Sequence, residues 1–433
     1  MIMLRLFSVI LTALLLLVPV DPTRACSMYK LTVDGTTMVG CNEDAWRTTS
    51  RIWFETAGQS GAYGACFTGS RQVAPDRTAP QSGMNERGLT FSRLAAWHPR
   101  QQNPFSHRLP ITDEVDYLSD ILHQCATVTE VRAYIEAYDH SIFLEDVFIY
   151  IDPSGHYLIV EPYALIEGRD PTYVLSNFCP SITDPGRARQ LERYRNGDDY
   201  LQRHAPEASL DYCTALSDTM HVCRKRNGDG TLLTSIWNTR DGSVNLYFYH
   251  DYDTTVQFHL AKELAKGDHS MAIPDLFAPN PEFARLSSYK TPLNTPILRV
   301  GLVALGGMLM LLSLLLVISY IRGIKVEFSL RTVLLLLTMN VILTGYLVVL
   351  ATNLSIYYFD APYTHSGSPL ISAASYTPFL LLVIMIVLIP VILKDIRSNN
   401  SRSWTRVLYG SHGLIYMFLM TAFAYWGLYD IWS

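Results

Sequence analysis

Residues 23–46, TRACSMYKLTVDGTTMVGCNEDAW, decide how this chain is read. Cys26 follows a hydrophobic leader, two short alternating stretches flank Asp34-Gly35, and an Asn-Glu-Asp cluster at residues 42–44 follows. Alternation on both sides of Asp-Gly predicts a β-hairpin, because a type I′ turn needs positive φ at both central positions and Asp-Gly tolerates it. The cysteine has three readings: a structural thiol, a lipid attachment point, or a nucleophile uncovered by cleavage.

The upstream residues bear on that choice. Residues 4–20, LRLFSVILTALLLLVPV, place one arginine ahead of an unbroken apolar run, and Ala25 stands just before Cys26. This is the layout of a secretory signal cleaved after Ala25, and the run is shorter than the ~20 residues of a retained membrane span. A lipoprotein signal favours an apolar residue three places before the cysteine with small residues between, whereas Thr23, Arg24 and Ala25 occupy those places. Residues 1–25 are therefore expected to be a signal peptide, with Cys26 opening the mature chain. Such a residue carries a thiol and an α-amine whose reference pKa values are ~8.5 and ~8. The amine can take the thiol's proton, directly or through a water, so the nucleophile brings its own base and needs no catalytic histidine. Attack on a carbonyl gives a thioester, releases an amine, and leaves water to regenerate the thiol.

The chain's 433 residues are 49 % hydrophobic and only 17 % charged, with the apolar excess at the two ends. The net charge of −5 comes without a dense Lys/Arg run, which argues against nucleic-acid binding. Residues 26–271 read as one exported catalytic domain, 272–296 as a Pro-rich linker, and 297–433 as a four-helix transmembrane domain. The four apolar runs lie near Val300–Ile321, Thr332–Asn353, Ser372–Leu393 and Val407–Tyr429. Arg322, Lys325 and Arg331 follow the first run, and Lys394, Arg397, Arg402 and Arg406 follow the third, while the loop between the second and third has neither Lys nor Arg. By the positive-inside rule the catalytic domain, the second loop and the C-terminus lie outside the cytoplasm. Asn340 and His412, inside the spans, are read as helix-to-helix hydrogen-bonding groups. Pro390 is expected to kink the third span.

All seven cysteines, at 26, 41, 66, 125, 179, 213 and 223, precede the membrane runs, and export would place them in an oxidising compartment. Seven is odd, so at least one stays out of any disulfide framework. Connectivity is not readable, although Cys213 and Cys223 are close enough in sequence to close a short loop. No Cys-x-x-Cys or His-x-x-x-His spacing occurs, so no metal ligands are assigned.

Four stretches then carry a resemblance: Cys26; TVDGTTMVGCNEDAW at 32–46; SGMNERGLTFS at 82–92; and YVLSNF at 173–178. Together they resemble the N-terminal-nucleophile hydrolases of the linear-amide type, the group of choloylglycine hydrolase, penicillin V acylase and acid ceramidase relatives. The resemblance implies an α+β fold, an αββα sandwich of two antiparallel sheets between helices, here followed by the membrane bundle. It implies Asp44 as the residue orienting the cysteine's amine and thiol, and Asn177 as the oxyanion donor. Asn42, together with Arg187 or Arg189 from GRARQLERYR at 186–195, would line the substrate site. GMNERGL marks a turn between core strands, and residues 234–264 a late hairpin whose His250 and His259 are scaffold. No cofactor is implied.

Two departures stand out. Cys41 occupies the place of the family arginine in G-R-N-x-D, so Arg47, Arg51 or Arg187 replaces it in space, or the site is reorganised or inactive. RLAAWHP at 93–99 lacks the family's Asn-Tyr/Phe-Pro, which weakens any bile-salt or penicillin assignment. The reading is a membrane-tethered, extracytoplasmic amidase for a small-molecule amide or N-acyl substrate, lipid-like ones included. Its rivals are an acyltransferase of the same fold and a non-catalytic membrane sensor for acyl ligands.

Overall fold

The computed structural model describes residues 26–44, 49–58, 62–74, 77–223, 230–292, 295–322, 330–353, 355–357, 361–364, 368–397 and 403–431. The expected signal peptide, residues 1–25, and Arg47 lie outside the described residues. The chain divides into two compact units, Thr23–Ser288 and Tyr289–Ser433.

The first unit is built from the hairpin outward. Strand β1 (Ser27–Val33) turns into β2 (Thr36–Asp44) through Asp34 and Gly35, whose φ values of 50° and 73° are both positive, as a type I′ hairpin turn requires. Pairing runs without a break from Val33↔Thr36 to Ser27↔Asn42. With β10 (Thr172–Leu175), β11 (Thr231–Asn238), β12 (Ser243–Phe248) and β13 (Asp251–His259), these strands form a six-stranded sheet in the order β10-β1-β2-β11-β12-β13. Every described pairing in it is antiparallel.

A second sheet has eight strands: β3 (Arg51–Glu55), β4 (Ala65–Gly69), β5 (Ser82–Asn85), β6 (Thr90–Ala95), β7 (Asp146–Ile151), β8 (Tyr157–Val160), β9 (Leu165–Gly168) and β14 (His269–Ala272). Their order is β9-β8-β7-β6-β5-β4-β3-β14. The GMNERGL segment is the β5–β6 turn. Asn85 Oδ1 accepts from the Arg87 and Leu89 amides, and its Nδ2 donates to the carbonyls of Leu122 and Cys125, each at 2.7 Å. One side chain thus closes the turn and satisfies carbonyls at a helix C-terminus that would otherwise lack partners.

That helix, α1 (Glu114–Gln124), and α2 (Val128–Ile135) cover the outer face of the eight-stranded sheet. Leu118, Ile121, Leu122, Val131 and Ile135 pack there with Phe67, Phe91, Phe148 and Leu158. Asp113 caps α1, and Thr127 with Glu130 forms a capping box on α2. On the other side, α3 (Glu192–Arg203) and α4 (Leu210–Met220) cover the six-stranded sheet. Tyr212, Leu216 and Met220 meet Tyr29, Leu31, Met38 and Ile236. Between the sheets, the Glu43 carboxylate accepts from Thr68 and Ser82 of the facing sheet. The layers therefore run helix, sheet, sheet, helix, which is the α+β sandwich the resemblance implied. The segment 272–296, expected as a linker, carries a 3-10 turn at Ile273–Leu276 and helix α5 at Pro281–Ser288, with Leu286 buried. Proline suits the first turn of such helices, where its missing N–H costs nothing.

The second unit contains helices α6 (Pro296–Ile321), α7 (Leu330–Thr352), α8 (Thr377–Arg397) and α9 (Ser403–Tyr425). Four stretches, Pro296–Ile321, Leu330–Thr352, Pro369–Pro390 and Arg406–Tyr425, are long and apolar enough to cross a membrane. Asn340 does act as a joint between helices: its Nδ2 donates to Ser313 Oγ at 2.9 Å and lies 3.1 Å from His412 Nε2, and its Oδ1 accepts from Tyr416 at 2.7 Å. Pro390 lies within α8.

Candidate active site

Cys26 stands at the start of β1, where the hairpin register carries on to place it against Glu43. Its backbone nitrogen donates to Asn177 Oδ1 at 3.1 Å. Ser176, just past β10, donates its hydroxyl to the Cys26 carbonyl at 3.0 Å. The Asn177 amide has one consistent orientation. Arg193 Nη1 can only donate and lies 2.8 Å from Oδ1, while the Ala95 carbonyl can only accept and takes Nδ2 at 2.7 Å. Asn177 therefore presents its carbonyl to the Cys26 nitrogen. One hydrogen of Nδ2 is committed to Ala95.

Arg193, buried in the first turn of α3, also lies 3.4 Å from Asp44 Oδ2. The other Asp44 oxygen accepts from Thr231 Oγ1 at 2.5 Å. On the sulfur side, Gln81 Nε2 is 3.2 Å from Cys26 Sγ. Gln81 is pinned by its own backbone, donating to Thr68 and accepting from Arg93. The structure thus gathers Cys26, Asp44, Asn177, Arg193 and Gln81 into one cluster.

Burial pushes the Cys26 thiol up to about 12; the charges of Asp44 and Glu43 push the same way, against a hydrogen bond from the Asp44 backbone and the positive charge of Arg193. Burial likewise lifts the Glu43 carboxyl to about 7, resisted by the Thr68 and Ser82 hydroxyls. Cys41 shares the inter-sheet side of β2, and its thiol is held well above its ordinary value by burial and by Glu43.

The other expected site residues sit elsewhere. Asn42 turns to the helix side of β2, where Nδ2 donates to the Ser217 carbonyl at 2.9 Å and Oδ1 accepts from Thr234 at 2.8 Å; this couples β2 to α4 and β11. Arg187 is exposed on the one-turn helix Pro185–Ala188. Arg189 pairs with Asp198 and Asp199 on the outer side of α3. Arg51 donates to Ser270 on the neighbouring strand β14. The guanidinium that the structure brings to the cluster is that of Arg193, from the same GRARQLERYR segment. Its signal was a small residue one helical turn on: Arg193 and Gly197 are the buried positions of α3, and a Cβ on Gly197 would stand 2.6 Å from Met220 Sδ. Gln81 lies one residue ahead of the SGMN stretch, so that motif did not reach it. Cys213 faces the core between α4 and the sheet, whereas Cys223 is exposed, so the short loop suggested by their spacing is not closed.

No family model and no curated protein matches the sequence. Among solved structures, the chain is similar to a mutant of conjugated bile acid hydrolase from Clostridium perfringens, with 13 % identity and a TM-score of 0.45 over 59 % of this chain and 97 % of that one. It is also similar to penicillin V acylase from Agrobacterium tumefaciens, with 15 % identity and a TM-score of 0.44 over 57 % of this chain and 91 % of that one. A third is the Caenorhabditis elegans N-acylethanolamine-hydrolyzing acid amidase orthologue, with 12 % identity and a TM-score of 0.35 over 49 % of this chain and 92 % of that one.

Proposed function

We propose that the first unit is an amidase that cleaves a linear N-acyl bond through Cys26 once residues 1–25 are removed. The observation that carries this reading is the cradle around the Cys26 nitrogen: Asn177 Oδ1 accepts from it, and Arg193 braces Asn177 against Asp44. A peptide nitrogen has no basicity to hold ready; a free α-amine does. Cleavage after Ala25 converts the one into the other in place.

The thiol, raised by burial, stays protonated until a substrate carbonyl arrives. Its proton then passes to the amine as the sulfur–carbon bond forms. The tetrahedral oxygen collects hydrogen bonds from Gln81 Nε2 and the second Nδ2 hydrogen of Asn177. Collapse expels the amine product, which takes the proton from the Cys26 ammonium, and leaves a thioester. Water, deprotonated by the same amine, hydrolyses the thioester, releases the acid and restores the thiol. Asp44 and Arg193 act as positioning residues.

The domain is tethered by the four apolar helices and lies outside the cytoplasm. The excess of Lys and Arg after the first and third helices, and its lack in the second loop, support that topology. N-acyl lipids, which concentrate in a bilayer, are the substrate class suited to an enzyme so anchored. Sequencing the mature N-terminus tests the proposal: a start at Cys26 is expected, and a start elsewhere refutes it. Labelling by an electrophilic acyl probe should be abolished in Cys26→Ser.

A further inference from the structure

Three segments distant in sequence meet on the first unit, on the far side of Thr231 from Asp44 in the chain of contacts. Cys223 forms an isolated bridge with Gly230 after α4, His250 sits in the turn between β12 and β13, and Glu282 lies in the first turn of α5. Cys223 Sγ is 3.4 Å from His250 Nε2, and Glu282 Oε2 is 3.5 Å from the same nitrogen. All three donor atoms lie within 4.8 Å of one another.

We propose that Cys223, His250 and Glu282 form a binding site for a thiophilic divalent cation of the zinc class. Tetrahedral bonds of about 2.3 Å to sulfur and about 2.0–2.2 Å to nitrogen and oxygen hold S and N about 3.6 Å apart and N and O about 3.4 Å apart. The observed S–N and N–O separations, 3.4 and 3.5 Å, match these two of the three edges the ligands define.

The ring orientation distinguishes a ligand set from a proton relay. In a Cys-His-acid relay the thiol meets one imidazole nitrogen and the carboxylate the other. Here thiol and carboxylate both converge on Nε2, while Nδ1 faces the Thr231 carbonyl at 3.4 Å. A ring N–H given to a backbone carbonyl is the usual outer support of a metal-bound histidine, and it leaves the Nε2 lone pair for the ion.

Tyr249 and His250 adopt φ values of 55° and 47°, the positive pair of a two-residue hairpin turn, and this turn carries the imidazole to the other two ligands. His221 stacks on His250, but its Nδ1 is taken by Asp218. Three protein ligands with a water in the fourth position complete the coordination. Binding deprotonates Cys223 and releases that proton to solvent. An ion here would fasten α5 and the β12–β13 turn to the start of β11, whose Thr231 donates to Asp44.

The test uses the full-length chain in detergent, stripped with a chelator and titrated with Co²⁺ alone, then with Zn²⁺. The wild type should show a saturable thiolate-to-cobalt charge-transfer band that Zn²⁺ abolishes. Cys223→Ser should lose the band, and Glu282→Gln, on an exposed helix face, should weaken affinity by at least about 10–100-fold, the range already seen for loss of an outer-shell partner. Melting curves of the stripped proteins report folding, and Glu282→Gln alone decides the matter if Cys223→Ser is unfolded. No band in the wild type, or unchanged affinity in Glu282→Gln, overturns the proposal.

Discussion

Replacing Glu43 by glutamine should remove the loss of stability that this carboxyl imposes on the first unit in alkali. Glu43 is fully buried between the sheets; its Oε1 accepts from Thr68 at 2.6 Å and Ser82 at 3.1 Å, while Oε2 is buried without a hydrogen bond. Burial lifts its carboxyl from an ordinary 4.5 to about 7. The folded state therefore holds this proton more tightly than the unfolded chain. The stabilisation is fully present below the ordinary carboxyl range and is lost as pH rises through about 7. At about 1.36 kcal/mol per pH unit, the loss amounts to about 3 kcal/mol. Glutamine keeps the acceptor for Thr68 and Ser82 but has no charge to bury. Thermal unfolding of the full-length protein in detergent, followed between about pH 4 and pH 9, is the assay. Wild type and Glu43→Gln should melt together at the acid end, and the variant should melt roughly 6 °C or more higher at the alkaline end. Parallel curves across the range would falsify the reasoning. Because the Glu43 charge also raises the Cys26 thiol, the variant should react with an acyl probe from a lower pH than the wild type.

Other substitutions probe the rest of the cluster. Arg193→Met leaves Asp44 buried without its guanidinium and should destabilise by about 3–5 kcal/mol in denaturant titration; it should also abolish Cys26 acylation, with Arg193→Lys failing to rescue because one ammonium cannot serve both Asn177 and Asp44. Gln81→Ala should lower kcat by about 10²–10³ with little change in KM, as loss of an oxyanion donor does; a matching rise in KM alone would assign Gln81 to substrate binding. Asn340→Leu should lower the melting point of the helical unit through about 1 kcal/mol of lost interhelical hydrogen bonding, and an unchanged melt would show the node to be energetically silent.

How much of this was legible depended on the range of the interactions. The hairpin was plain because Asp34-Gly35 is a local instruction, and Cys26, Asp44 and Asn177 could be picked out because the resemblance carries short motifs. Arg193 was hidden among the arginines of one ten-residue stretch: the one facing inward depends on where α3 begins, and only Gly197 marks that face. Asn42 was read as a site residue from its place in the motif, yet strand alternation turns it towards α4 while Glu43 beside it faces the other sheet. Cys223, His250 and Glu282 share no local spacing at all, since a turn, a bridge and a helix start bring them together.

The Asp34–Gly35 turn has a consequence beyond closing a hairpin. It works as a ruler, because counting away from it along both strands determines which residue of β2 stands opposite Cys26. One residue more or less in the turn would bring Asn42 or Asp44 into that place and exchange the faces of the strand beyond it. The distance from the turn to Cys26 thus shapes the cluster as much as any side chain in it. Redesign of this domain can vary the residues of the turn more freely than their number.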